Sequence, residues 1–339
     1  MSYTVYDWQK SAWELSRAAL AHGAHALLLV GARGCGKREL ALALAAAYLC
    51  DAPQPDGRAC NQCESCRWLA AGSHPDFALV EPAAEDDDAE PKTRPAPKRS
   101  NAITVDQVRG LSDLMSITAH RDAGKAIVVH PAEALNVAAS NALLKSLEEP
   151  PLRTVFLLVS HRPALLLPTV RSRCQLVPVR IDDPAIARAW LAANAQCDDP
   201  ELVLALAGGA PLAAVSIAED PVWSRRAGFL RALAAPDADP VRIADLYRDL
   251  PPAQVLSWLQ TWTFDLVQIR FCGRARYHRD MEPIAAGVAQ LLEPIQATRL
   301  HRSLLAQQRH VNHPLNARLF VEHMLIAYRQ ALARNAVSA

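Results

Sequence analysis

The stretch "HALLLVGARGCGKRELALALAAAYLC", residues 25–50, decides the fold. A short apolar run gives way to a glycine-rich turn. Beyond it Leu40, Leu44 and Tyr48 recur at helical spacing, so the segment reads as strand, loop and helix. Gly31, Gly34 and Gly36 let the backbone curl so that successive N–H groups and the start of the helix aim at phosphate oxygens. Lys37 would neutralise the terminal phosphates.

The same loop departs from a hydrolytic site in two places. A magnesium-dependent site needs a hydroxyl ligand after the lysine and an acidic residue at the end of a neighbouring strand. Position 38 is Arg38, which has no ligating oxygen. The strand "KAIVVHPAEAL" places His130 and Pro131 where Asp and Glu are expected, with Glu133 two residues late. The expectation is a phosphate loop without hydrolytic machinery, so that ATP is not turned over. A shifted register that makes Glu133 the acid is the alternative, and it corresponds to an active ATPase.

Working outward, 339 residues suit two or three domains. Apolar residues make up 51% of the chain but aromatics only 6%, so the core rests on Ala, Leu and Val, which favours α or α/β over all-β architecture. A formal net charge of +1 gives no long-range field of the kind that marks nucleic-acid or membrane binders. With no stretch of about 18 apolar residues and no basic, apolar leader at the N-terminus, a soluble cytoplasmic protein without membrane contact is expected.

Of eight cysteines, Cys50, Cys60, Cys63 and Cys66 crowd together with the spacing C-x9-C-x2-C-x2-C. Four thiolates suit tetrahedral zinc, and two C-x2-C steps form the compact half of such a site. No neighbouring His or Glu suggests an open coordination position, so a structural zinc module over residues 50–66 is expected. A zinc-dependent nucleic-acid reader is a weaker alternative, because only Arg58, Arg67 and Trp68 offer basic or aromatic groups nearby.

"KAIVVH" and "TVFLLVS" read as strands buried on both faces, with the helix "AASNALLKSLEEPP" between them, stopped by Pro150 and Pro151. Thr104 and Gln107 fit a capping box, with Val108, Leu111 and Met115 on one face of the helix that follows. Alternating strands and helices imply a parallel, doubly wound α/β domain over residues 1–178. Residues 179–222 read as a small helical domain and 223–339 as all-α, with Val255, Leu259, Trp262 and Leu266 spaced by four, three and four. The acidic and proline-rich stretch over residues 81–100 reads as a surface loop and receives no role. "TVRSRCQ" carries Arg171 and Arg173 just after an apolar run. Two readings stand side by side, a pair of solvated loop arginines or an arginine finger, a planar cation that reaches a neighbour's phosphate, and local spacing does not decide between them.

"HALLLVGARGCGK", the four-cysteine insert, "SNALLKSLEEPP", "TVFLLVS" and "TVRSRCQ" occur in the order found in bacterial clamp-loader subunits of the AAA+ class, which the chain resembles strongly over residues 5–178. Two members of that family share these motifs, an ATP-hydrolysing motor (gamma/tau) and a largely rigid stator. The motor would carry Thr or Ser at position 38, Asp-Glu at 130 and 131, and an Arg-bearing G-S-x-R segment where this chain reads Gly208-Gly209-Ala210-Pro211. All three differences match the stator. The resemblance implies an AAA+ core over 1–178, a helical lid over 179–222 and an oligomerisation collar over 223–339. It implies gamma/tau and delta subunits as partners, with the sliding clamp and primed DNA reached through the assembled DNA polymerase III complex. It further implies that Arg173 is inserted in trans into the ATP site of the adjacent motor, while Gly31, Gly34, Gly36 and Lys37 bind nucleotide weakly or not at all.

Overall fold

A computed structural model describes residues 3–82, 102–116, 124–311 and 316–336, the side chains of 112–116 and 334–336 excepted. The acidic and proline-rich stretch lies outside the described residues from position 83, as does the Met115 side chain. Two compact units divide the chain, Met1–Ile186 and Ala187–Ala339.

The first unit contains β1 (Ala26–Val30), β2 (Phe77–Val80), β3 (Lys125–Val129), β4 (Thr154–Ser160) and β5 (Gln175–Pro178). They form one sheet in the order β2-β3-β4-β1-β5, and every pairing is parallel. This is the doubly wound α/β class read from the sequence. The reason is visible in β3 and β4, where every residue is buried. Along β4, Val155, Leu157 and Val159 enter one core, shared with Leu40 and Leu44 of helix α2 (Lys37–Leu49), after the first helix α1 (Lys10–Ala21). Phe156 and Leu158 enter another, shared with Leu143 and Leu147 of α5 (Val137–Glu148). Successive strand side chains point to opposite faces, so a run that is apolar at every position demands cover on both.

Helix α3 (Glu64–Ala70) follows the cysteine segment, α4 (Val105–Ser116) lies between β2 and β3, and α6 (Pro168–Arg171) precedes β5. The ends of these elements follow local chemistry. Asn136 caps α5 through its side-chain oxygen, which accepts from the Ala139 N–H at 2.8 Å. At Thr104 the Gln107 side chain accepts from the Thr104 N–H at 2.9 Å, the reciprocal half of the expected box. α5 stops at Glu148, two residues before Pro150.

Helix α7 (Pro184–Asn194) begins three residues before the second unit, which is helical throughout: α8 (Pro200–Leu206), α9 (Pro211–Glu219), α10 (Arg226–Ala234), α11 (Pro240–Leu246), α12 (Pro252–Cys272), α13 (Glu282–Gln290), α14 (Pro294–Gln307) and α15 (Ala317–Ala336) follow. Its core centres on α12, where Val255, Leu259, Trp262 and Leu266 are all buried at the spacing read from the sequence. Trp262 Nε1 donates to the buried Tyr328 hydroxyl at 3.0 Å, so the indole meets no unpaired polar cost. The buried Asp265 carboxylate accepts from the N–H groups of Arg276, Tyr277 and His278, fixing the turn after α12. No single helix among the described residues is long and apolar enough to cross a membrane.

Candidate functional site

The loop after β1 runs where the sheet delivers the chain to α2. Gly34 and Gly36 have φ of 81° and 83°, the left-handed region that side chains resist. A Cβ on Gly36 would lie 2.5 Å from the Gln9 side chain, and one on Gly31 2.4 Å from the Val179 carbonyl, so these glycines also admit close neighbours. Lys37, only 2% exposed, folds its ammonium back on the loop, donating to Gly31 O at 2.9 Å and Ala32 O at 2.6 Å. Burial lowers its pKa, with Cys35, Glu133 and Glu39 nearby acting in the opposite direction.

From outside, the N-terminal turn closes on the loop. Trp8 Nε1 and Gln9 Nε2 each donate to Cys35 O at 3.1 Å, and Gln9 Nε2 also donates to Gly36 O at 2.6 Å. Tyr6 stacks on Trp8 with ring centroids 4.5 Å apart. Sequence reasoning missed these clamps, because nothing in "YDWQ" marks a partner 27 residues away.

The two positions lacking metal ligands are joined through a third residue. Arg38 donates to Glu81 with a fork, Nε to Oε1 at 2.7 Å and Nη2 to Oε2 at 3.1 Å. His130 Nδ1 donates to the same Oε1 at 2.8 Å. Glu81 is the first residue after β2, and Gln107 fixes its backbone by donating to Glu81 O at 2.8 Å. Its carboxylate thus ties together a side chain at the start of α2 and another beyond β3. The sequence reading assigned Glu81 to a surface loop and gave it no role.

Glu133 lies in a short turn after β3, where its Oε1 accepts from the His161 N–H at 2.9 Å and its buried Oε2 has no hydrogen-bond partner. Burial acts to raise its pKa, but N–H groups, the Ser160 hydroxyl and His161 outweigh that and hold the carboxyl below its usual range. A carboxylate so engaged is a poor proton acceptor. His161 stacks edge-on against His130, 5.5 Å between centroids, and burial together with the Lys37 charge pulls its pKa down to about 4, so its ring is neutral at pH 7.

The four cysteines come together. Their Sγ atoms all lie within 4.8 Å of one another, with 3.9 Å for Cys50 to Cys63, 3.9 Å for Cys60 to Cys66 and 3.7 Å for Cys66 to Cys50. Zinc–sulfur bonds of about 2.3 Å in a tetrahedron require sulfur–sulfur edges of about 3.8 Å, so the donor set fits a metal ion. Asn61, at φ 58°, makes the tight turn between Cys60 and Cys63, and the N–H groups of Gln62 and Cys63 point at Cys60 Sγ. Those N–H groups bring the Cys60 pKa down to about 6, while burial pushes Cys66 up. The module is anchored to α2 by Ser65, which donates to Leu49 O at 2.5 Å and pairs with His74 Nε2 at 2.9 Å. Trp68 and His74 meet in a T-shaped contact, 5.9 Å between ring centroids.

Arg173 lies just after α6, on the turn that leads into β5. Its Nη2 is 2.5 Å from Glu148 Oε1 at the end of α5, and its Nη1 donates to Thr169 O at 3.0 Å. Together with His25, Leu147 and Ser172 the pair lines a shallow depression of about 460 Å³. Arg171 is exposed beside it.

The Glu81 cluster carries a pH signature. Burial alone would raise the Glu81 carboxyl, but hydrogen bonds and charge from Arg38 and His130 hold it below its usual value. A group depressed in the folded state adds stability that is present above its unfolded pKa, about 4.3 for Glu, and disappears as pH falls through the lower folded value. Urea denaturation is therefore expected to show Glu81→Gln less stable than wild type near neutral pH, with the gap closing as the pH drops below about 4. A gap that stays constant across that range would contradict the arrangement.

Residues 8–183 match the family described as DNA polymerase III, delta subunit. A DNA polymerase III subunit delta' from Pseudomonas aeruginosa is 37% identical over 86% of this chain and 84% of its own length. One from Yersinia pestis is 32% identical over 98% of both. A DNA polymerase III subunit gamma/tau from Mycobacterium bovis is 32% identical over 57% of this chain but only 32% of its own length. Both the matched family and the near full-length agreement with subunits of one name point one way: the chain belongs to the delta-prime family of DNA polymerase III subunits.

Proposed function

We propose that this chain is the non-hydrolysing delta-prime subunit of a clamp loader, and that it completes a neighbour's ATP site instead of running its own. The observation that carries this reading is the Arg38–Glu81–His130 cluster. Where hydrolysis needs oxygen ligands for magnesium, two nitrogen-bearing side chains share one carboxylate, and Lys37 satisfies itself on loop carbonyls. Glu133 is fastened through Oε1 to the His161 N–H, two residues beyond the position where the acid is expected.

In this reading Arg173 acts in trans. Its guanidinium, permanently charged and planar, meets the terminal phosphates of ATP held by an adjacent gamma/tau subunit and stabilises charge as the phosphoryl group leaves. Residues 179–222 serve as a lid and 223–339 as a collar that holds the chain among gamma/tau and delta subunits. ATP binding then tightens the assembly around the sliding clamp for placement on primed DNA in the cytoplasm. Cys50, Cys60, Cys63 and Cys66 hold a structural zinc ion, whose binding adds on the order of 10 kcal/mol to local folding.

Two measurements test these assignments. Arg173→Ala is expected to leave the chain folded and assembled while ATP hydrolysis at the adjacent site falls by up to the 10³- to 10⁵-fold, roughly, that a trans arginine supplies. Unchanged hydrolysis and clamp loading would overturn the finger. Metal analysis of protein purified without chelator should find one zinc per chain, lost in Cys60→Ser together with the order of the module; finding none in the wild type would remove zinc from the account.

A further inference from the structure

Two sequence signatures, "SLEEPP" at 146–151 and "SRC" at 172–174, lie about 25 residues apart and meet in one ion pair. Glu148 is the last residue of α5, and the prolines that follow fix where that helix ends. From there its Oε1 reaches Arg173 Nη2 at 2.5 Å, while Thr169 O takes Nη1 at 3.0 Å. A second donor contact runs from Nη1 to Ser172 Oγ at 3.4 Å. Both terminal nitrogens are thus engaged, and no residue among those described is bonded to Nε.

The pair has little value as a stabiliser. The two side chains are 35% and 49% exposed, and ion pairs in such settings contribute little to folding because water screens them. What two contacts to separate nitrogens do achieve is orientation, since they fix both the position and the plane of the guanidinium. A long arginine otherwise samples many rotamers, and holding it in a productive geometry removes that entropy before the reaction.

We propose that Glu148 is a positioning residue for Arg173, presenting its remaining N–H groups to a phosphate group held by an adjacent subunit. The inference rests on the trans role of Arg173 proposed above. A carboxylate and a phosphate can share one guanidinium because its five N–H donors fan out in a plane.

The test is a double-substitution cycle in the reconstituted complex, reading steady-state ATP hydrolysis for wild type, Arg173→Ala, Glu148→Ala and Glu148→Ala/Arg173→Ala. Thermal melting and gel filtration verify folding and assembly of each. Glu148→Ala is expected to lower kcat on the order of 10- to 100-fold with the KM for ATP unchanged. The double variant should fall no further than Arg173→Ala alone. Glu148→Gln, which keeps an acceptor oxygen, should recover part of the rate, and it provides the same cycle if Glu148→Ala fails to assemble. A wild-type or raised rate in Glu148→Ala, or losses that multiply in the double variant, would overturn the inference. A wild-type rate in Arg173→Ala would instead sink the finger reading itself, so the two failures are distinguishable.

Discussion

A lysine ammonium cannot be buried without partners, and the loop at residues 31–37 is organised around that constraint. Removing such a charge from water costs several kcal/mol unless it is paired or hydrogen-bonded. In a loop built to receive triphosphate, the anion meets the cost. Here Gly31 and Ala32 turn their carbonyls to the Lys37 ammonium, and the left-handed glycines that would have cradled phosphate allow the backbone to do so. Trp8 and Gln9 then secure the outer carbonyls of Cys35 and Gly36. The loop is complete from this chain's own atoms.

The same economy governs the metal positions. An arginine after the lysine would be repelled by magnesium and by Lys37, yet Arg38 has a natural place because Glu81 reaches it from the end of β2. His130 converges on that carboxylate from beyond β3. Arg38, Glu81 and His130, distant along the chain, form one interaction in space, and removing the shared carboxylate would leave Arg38 without its counterpart. On the proposed function, the chemistry left to this unit lies at Arg173, where a cation with free donors is held at the surface by Glu148 and Thr169.

Much of this was legible in the sequence, and the exceptions have physical reasons. β1, β3 and β4 are buried on both faces, so each announces itself as a continuous apolar run. β2 and β5 are four-residue edge strands, only partly buried, and no periodicity can develop over that length. The cysteine spacing was informative because two C-x2-C steps confine three of the sulfurs locally, leaving only Cys50 to be brought in by the end of α2. Glu81 was not legible. It lies where a short strand passes into an acidic stretch, and its importance comes from partners 43 and 49 residues away. The closure by Trp8 and Gln9 is likewise a long-range fact. Glu148 was visible only as part of a motif, since its contact with Arg173 depends on how α5 and α6 pack.

On the proposed function, the phosphate loop is satisfied by its own carbonyls and serves no metal-bound nucleotide. The most direct measurement is binding of a fluorescent ATP analogue to the isolated chain, with and without magnesium. The account predicts weak or absent binding, indifferent to the metal, because Lys37 is already partnered and positions 38 and 130 offer no oxygen ligand. Tight binding that requires magnesium would contradict it, and would mean that the Arg38–Glu81–His130 cluster opens to admit an ATP site that this chain uses itself.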